Sequence, residues 1–395
     1  MPQYLAPGVY VEEVPSAIKP IAGVGTSTAG FIGEVADNVT TPLMPGRTGV
    51  KPDGTAEPAD HYPVAAADKP QLIDGWEQFK KYFGDIQEGN RTLAHAVYGF
   101  FNNGGGLCWV TRVLPGADDD QFKAALDTFI PIDEIALVAI PGMVGVGVQE
   151  AVLSHCENTQ DRFAILDGQQ TTTLDKASIQ GGLRGSRDGY GAIYYPWIDV
   201  GEKDAEGNPV YLPPSGHIAG VFARVDTERG VHKAPANEVI RSALGVQTLV
   251  SRQSQGPLNQ DGINVIRKFD GNITIWGART LATDAAWRYI NIRRLFNFLR
   301  ESIDEGTQWV VFEPNAPELW SKIRRNITAF LTTVWASGAL LGATPEQAFY
   351  VRCDETTNPE EVRDLGQVIT EIGVAVVKPA EFVIFRISQW SGPSK

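Results

Sequence analysis

Apolar and polar positions along the chain alternate in two rhythms, and each rhythm predicts one kind of element. Between about residues 72 and 230, nearly continuous apolar runs are separated by segments whose apolar residues recur every three or four positions. The runs at 107–114, 135–140, 162–167 and 192–197 predict strands, and the segments at 119–129, 150–157 and 174–183 predict amphipathic helices. A strand that is apolar at successive positions buries both its faces. The region therefore predicts an α/β sheet covered by helices on both sides. A further strand is expected at 29–35.

Past residue 233 the helical stretches lengthen. Strands are expected at 263–269 and 273–277, then a strong helix at 284–305 with Trp287, Ile290, Leu295, Phe298, Leu299 and Ile303 near helical spacing. A strand follows at 309–314 and a second long helix at 318–341. A third helix, 359–372, starts with Pro359 and stops at Gly373, the usual asymmetry of helix ends. Apolar runs at 373–379 and 382–390 close the chain.

The two ends share a feature. Residues 6–15 read as a short strand bracketed by Pro7 and Pro15, which restrict it to a sheet edge because proline donates no ladder hydrogen bond. The chain thus begins and ends with strands that have no evident partner. Exposed apolar edges are an aggregation hazard, so such strands either pair with each other or join a neighbouring molecule by strand addition. Residues 40–70, rich in Pro, Gly, Asp and Ala, read as a long surface loop or an interface.

Composition narrows the possibilities. A chain of 395 residues has room for two or three domains with sizeable cores. Its 34 basic and 47 acidic side chains give a formal charge of −13, which disfavours nucleic acid as the main ligand and keeps copies apart until a specific contact forms. Cys108, Cys156 and Cys353 are widely separated and odd in number, as expected of buried thiols in a reducing compartment. No run approaches the roughly 18 apolar residues of a membrane span. The first residues lack the features of a secretory signal, so assembly in the cytoplasm and no direct membrane insertion are expected.

Catalytic constellations are hard to find. The histidines His61, His95, His155, His217 and His232 form no metal-spaced group. The glycines from Gly142 to Gly147 follow an apolar strand, but their spacing departs from a dinucleotide fingerprint. Asn102 to Gly106 lacks the Lys-Ser/Thr of a phosphate loop, and tight turns explain both stretches. Asp118, Asp119 and Asp120 sit where acidic residues favour a helix start. No enzyme, cofactor or metal site is expected. An α/β enzyme, or a module binding a cell surface or carbohydrate, remains the alternative reading.

Several stretches resemble phage tail sheath proteins: Pro7-Gly8-Val9-Tyr10-Val11-Glu12-Glu13, Tyr194-Tyr195-Pro196-Trp197, residues 213–220 and residues 233–238. The resemblance is strongest in Gly262 to Arg267, Trp276-Gly277-Ala278-Arg279-Thr280, Tyr289 to Arg294, Phe312-Glu313-Pro314-Asn315 and Lys378 to Ile384. It keeps its order along nearly the whole chain and implies a contractile sheath of a myophage tail, an R-type bacteriocin or an extracellular injection system. Implied with it are self-assembly as stacked six-membered rings around an inner tube protein, and contact with baseplate and tail terminator or cap proteins.

The implied fold is a mixed α/β one. An inner sheath domain of mixed sheet and long helices (233–378) and an α/β outer domain (72–232) follow a 21–71 segment, with extended β arms at 1–20 and 379–395. On the arms, Val9, Tyr10, Val11, Glu12 and Glu13, and Phe382, Val383, Ile384, Phe385, Arg386 and Ile387, are the expected links between subunits. The helix at 359–372 is the expected tube contact. Its Glu360, Glu361, Arg363, Asp364 and Glu371 suit either an electrostatic contact or a solvated face.

Overall fold

The apolar runs become the middle of one nine-stranded sheet. The computed structural model describes residues 20–51 and 53–386. The described residues divide into a larger unit of residues 24–301 and 376–386, and a smaller unit of residues 20–23 and 302–375.

In the larger unit the chain runs β1 (Ala29–Glu34), β2 (Gln71–Ile73), α1 (Trp76–Phe83), α2 (Arg91–Asn102), β3 (Cys108–Val113) and α3 (Asp119–Asp127). It continues through β4 (Leu137–Ala139), α4 (Val146–Thr159), β5 (Phe163–Asp167), α5 (Lys176–Gln180) and β6 (Gly191–Tyr195). Next come β7 (Ile198–Lys203), β8 (Pro209–Leu212), α6 (Ser215–Arg229), β9 (Glu238–Val239) and β10 (Gly245–Val246). The last elements are α7 (Arg252–Gln260), β11 (Ile263–Phe269), β12 (Asn272–Ile275) and α8 (Ile290–Thr307), which lies in this unit as far as Glu301.

The main sheet has the order β2-β3-β1-β4-β5-β6-β11-β12-β9. From β3 to β11 all neighbours are parallel, and antiparallel strands finish both edges. Successive residues alternate between two cores. Phe31, Leu137, Ile165 and Tyr194 join one face, while Ile32, Val138, Leu166 and Tyr195 join the other. Helices α1, α2 and α6 cover the first face and α3, α4 and α7 the second, which is why the runs are continuously apolar. The boundary expected at 232/233 falls between α6 and β9, inside this unit.

The sequence pattern did not predict α1, α2 or α6. In α6 every residue from Ser215 to Val225 is buried, so no polar face marks it as a helix. It approaches α2 through glycines: a side chain on Gly216 would overlap Ala96, one on Gly220 would overlap Phe100, and one on Gly99 would overlap the His217 ring.

In the smaller unit, α9 (Pro317–Ala336) and α10 (Pro345–Ala348) precede β13 (Phe349–Arg352), α11 (Glu360–Asp364) and β14 (Glu371–Val374). β13 and β14 form a two-stranded antiparallel sheet, Phe349 opposite Val374 and Arg352 opposite Glu371. Among the described residues no third strand joins it.

Three expectations are corrected here. The strand expected at 309–314 is instead a 3-10 turn, Gln308–Val310, where the Trp309 indole donates to the Gly306 carbonyl. The helix expected at 359–372 is only α11. Gly366, at φ 70°, ends it, and the buried Asn358 side chain bonds the N–H and carbonyl of Ile369, so Glu371 lies on β14 and not on a helix. The strand expected at 382–390 is absent over 382–386, which has no regular structure, and the remainder lies outside the described residues.

The α2–α6 contact is the tightest packing in the larger unit's first core. Gly220→Val should destabilise the protein by about 3 kcal/mol or more, since neither backbone can retreat from the added methyls. Gly256→Ala in α7 should stay within about 1 kcal/mol of wild type, because its Cβ meets nothing beyond the adjacent residues while Pro257 opposes the usual gain of alanine over glycine. Urea unfolding followed by circular dichroism distinguishes the two.

Candidate functional site

The expected site residues are linkers, so the question is how the body of the protein holds the segments that carry them. Val9, Tyr10, Val11, Glu12, Glu13 and Ile387 lie outside the described residues. Phe382, Val383, Ile384 and Phe385 are 71%, 68%, 77% and 84% exposed, an unusual run of four apolar side chains facing solvent, and Arg386 beside them is exposed too.

Immediately before this run the chain is gripped. The Glu381 carboxylate accepts two bonds from Arg279, at 2.8 and 2.7 Å, one from the Asn259 amide at 2.7 Å and one from the Tyr289 hydroxyl at 2.9 Å. These donors come from the segment after β12, from α7 and from the start of α8. Arg279 is itself fixed, because the Asn264 side chain on β11 accepts from its N–H and donates to its carbonyl, both at 2.7 Å. Burial pushes the Glu381 carboxyl up, but the bonds from Arg279, Asn259 and Tyr289 outweigh it and hold it below the usual glutamate value.

A second clamp stands near the other end. Arg294 on α8 pairs with Asp226 on α6 at 2.9 and 2.6 Å, with both side chains almost fully buried. Its guanidinium also donates to the Thr26 carbonyl at 2.8 Å, and the Thr26 hydroxyl donates to Asp226 at 2.6 Å. The Arg294 guanidinium lies 4.9 Å from the Phe222 ring centre. Each end of the described chain therefore passes an arginine–carboxylate pair where it joins the larger unit. Arg279, Tyr289, Arg294 and Glu381 belong to the stretches singled out in the sequence, but their partnership was not foreseen. The signal available was an arginine inside an otherwise apolar stretch, which needs an acidic partner.

The other candidates resolve into structure. Asp118 caps α3 by accepting from the Gln121 N–H at 2.9 Å. The glycine turn after β4 is tied down by Asp167 at the end of β5. That buried carboxylate accepts from Gly142 N–H at 3.1 Å, Ser215 N–H at 2.9 Å and the Ser215 hydroxyl at 2.7 Å. Burial nevertheless raises it to about 6. This is the carboxyl end of the parallel strands, where α/β sheets commonly take ligands, and here Asp167 ties the β4–α4 turn to the start of α6. Among the described residues no group of three or more His, Cys, Asp or Glu side chains could hold a metal ion. Glu360, Glu361, Arg363 and Asp364 are exposed on α11, and Glu371 on β14 lies 3.5 Å from Arg352.

Residues 116–281 match the phage tail sheath protein central domain and residues 282–389 the phage tail sheath C-terminal domain. The chain belongs to the phage tail sheath family. It is 27% identical over 335 residues to the tail sheath protein of Vibrio phage KVP40, covering 77% of this chain and 47% of that protein. It is 26% identical to a putative prophage major tail sheath protein of Pseudomonas aeruginosa, covering 62% of this chain and 64% of the relative. The chain thus spans about half to two thirds of these curated relatives.

Solved sheaths match over nearly their full length. The sheath complex of the PVC extracellular contractile injection system in its contracted state has a TM-score of 0.76 at 29% identity, covering 99% of each chain. The contracted helical sheath of the anti-feeding prophage has a TM-score of 0.74 at 31% identity, covering 98% of this chain and 99% of that one. A sheath fold of this family therefore carries both clamps here.

The clamps should contribute unequally. Asp226→Ala leaves Arg294 buried without its charge partner and should cost about 3–5 kcal/mol in denaturant unfolding. Glu381→Gln should cost about 1–3 kcal/mol. Because Glu381 titrates below its ordinary value of 4.5, its contribution is present above that pH and is lost as pH falls further. The stability gap between wild type and Glu381→Gln should therefore be full above pH 4.5 and narrow as the pH falls below it.

Proposed function

We propose that this chain is the structural subunit of a contractile sheath, polymerising with its own copies as stacked six-membered rings around an inner tube. The observation that carries the reading is the end-to-end similarity to a sheath complex, with 99% of both chains aligned. The chain acts by assembly and shape change and has no catalytic role. Assembly takes place in the bacterial cytoplasm, and the product is part of a phage tail or an extracellular injection particle that also engages baseplate and terminator or cap proteins.

The terminal segments are the links. Residues 8–14 and 382–390 leave one subunit and add as strands to a sheet of the next. The two-stranded β13–β14 sheet suits that purpose, because two strands alone are marginally stable and both outer edges are open among the described residues. Backbone bonds across such a joint tolerate rotation of the bodies it connects. The clamps at Thr26 and Glu381 keep the point of departure fixed while the segment beyond it turns. Residues 72–232 face outward, and residues 233–378 face the tube.

Contraction is a relaxation from a lattice held metastable by tube and baseplate to one that buries more surface. A few kcal/mol from each of many subunits is a scale typical of conformational switches, and no nucleotide is needed.

Negative-stain electron microscopy of the recombinant chain should show ribbed hollow cylinders, and a version lacking residues 1–15 should show none. Cylinders from the truncated chain would remove the N-terminal link, and a wild-type chain that stays monomeric alone and with its tube protein would remove the sheath reading. The short helix α11 is the proposed tube contact, with Glu360, Glu361, Arg363 and Asp364 on its surface and Glu371 nearby on β14. Glu361→Gln with Arg363→Gln should weaken co-sedimentation with the tube, most strongly at low salt. Identical binding at every salt concentration would exclude α11.

A further inference from the structure

Phe312 combines two features that the free chain does not compensate. Its side chain is fully exposed, at 103% of the reference area, and its backbone lies in the left-handed region at φ 67°. A bulky residue rarely adopts that conformation without a reason in its surroundings. Nothing around Phe312 in the smaller unit supplies one, since the ring touches solvent.

The loop that carries it is nonetheless stiff at its foot. The Val311 N–H donates to the Gln308 carbonyl at 3.3 Å and the Glu313 N–H to the Val310 carbonyl at 3.1 Å. Three residues on, the Asn315 side chain accepts from the Trp320 indole and donates to the Gln367 carbonyl, each at 2.8 Å. The tip is therefore an aromatic side chain held ready in one position, the form that interface anchors take. The bond to Gln367 also ties the foot of the loop to the segment that carries Leu365, 74% exposed, and Ile369, 40% exposed. Val311, next to Phe312, is 57% exposed.

We infer that Phe312 is an assembly anchor whose partner is a second copy of this chain. The inference rests on the sheath reading. Gln367, to which the loop is tied, lies on the segment that enters β14, and β14 offers the open edge at which a neighbouring copy is proposed to dock. The loop is thus anchored on the segment that leads into that joint. Charge points the same way. A chain of net charge −13 repels its copies at long range, so the contact that holds them must be short-range and apolar. The left-handed backbone aims the ring outward, and docking removes its apolar area from water.

The test compares wild type with Phe312→Gly and Phe312→Leu, measuring thermal unfolding of the dilute subunit and the critical concentration for forming pelletable sheaths. Glycine adopts this φ freely and the wild-type ring packs on nothing within the subunit. Phe312→Gly should therefore unfold at the same or a higher temperature while its critical concentration rises about tenfold or more. Phe312→Leu should assemble within about threefold of wild type. Unchanged assembly of Phe312→Gly would overturn the inference while leaving the sheath reading intact. A melting temperature that falls in step with assembly would reduce Phe312 to an internal packing residue. Normal sheaths that no longer co-sediment with the tube protein would transfer the contact to the tube. Wild type that forms no sheath under any condition would overturn the sheath reading, and this inference with it.

Discussion

A carboxylate taken out of water adds nothing to stability until a cation and hydrogen-bond donors replace its hydration. Asp226 and Glu381 both meet that condition through an arginine, and the fold around them is arranged so that it can be met. Arg294 reaches Asp226 only because α8 lies against α6, and Arg279 reaches Glu381 only because Asn264 on β11 holds its backbone. Each clamp thus depends on the sheet and helices being in register, and it converts that register into a fixed exit for a chain end. Fixed points of departure suit the proposed role, in which a subunit stays linked to its neighbours while the lattice changes.

The rigidity comes from burial on both faces of the parallel strands and from glycines that let α2 and α6 touch. A core packed at that density transmits displacement instead of absorbing it. At the carboxyl ends of the strands Asp167 joins the β4–α4 turn to Ser215, so this end of the sheet is cross-linked by its own side chains. Parallel sheets of this kind serve many unrelated functions, so the fold by itself does not choose among them.

How much was legible in the sequence follows from the same physics. The strands at 135–140 and 192–197 were readable because a run buried on both faces is apolar at nearly every step. Helix α3 was readable because Asp118 caps it. Helix α6 was not, because a helix buried all round from Ser215 to Val225 has neither a stripe nor a polar face over that length. The stretch 359–372 looked helical by its ends, but Asn358 and Gly366 redirect it through tertiary bonds that local spacing does not encode. The clamps were least legible of all. Thr26 lies 268 residues from Arg294, and Arg279 lies 102 from Glu381. Such pairs leave only the weak trace of an arginine among apolar neighbours.

The exposed apolar surface then has a consistent meaning. In a monomer that functions alone, Phe312 and the run from Phe382 to Phe385 would be liabilities for aggregation. In the proposed polymer they are the surfaces still to be covered, with the negative charge of the body keeping that covering selective. Long-range repulsion slows random encounters between copies, so only a docking that buries several of these side chains together overcomes it. Apolar contacts of that kind carry little directional information. Direction has to come from the places where the chain is held: the clamps that aim the end segment and the Asn315 foot that aims Phe312. The hydrophobic effect supplies the driving force for assembly, and a handful of buried polar bonds decides where that force is applied.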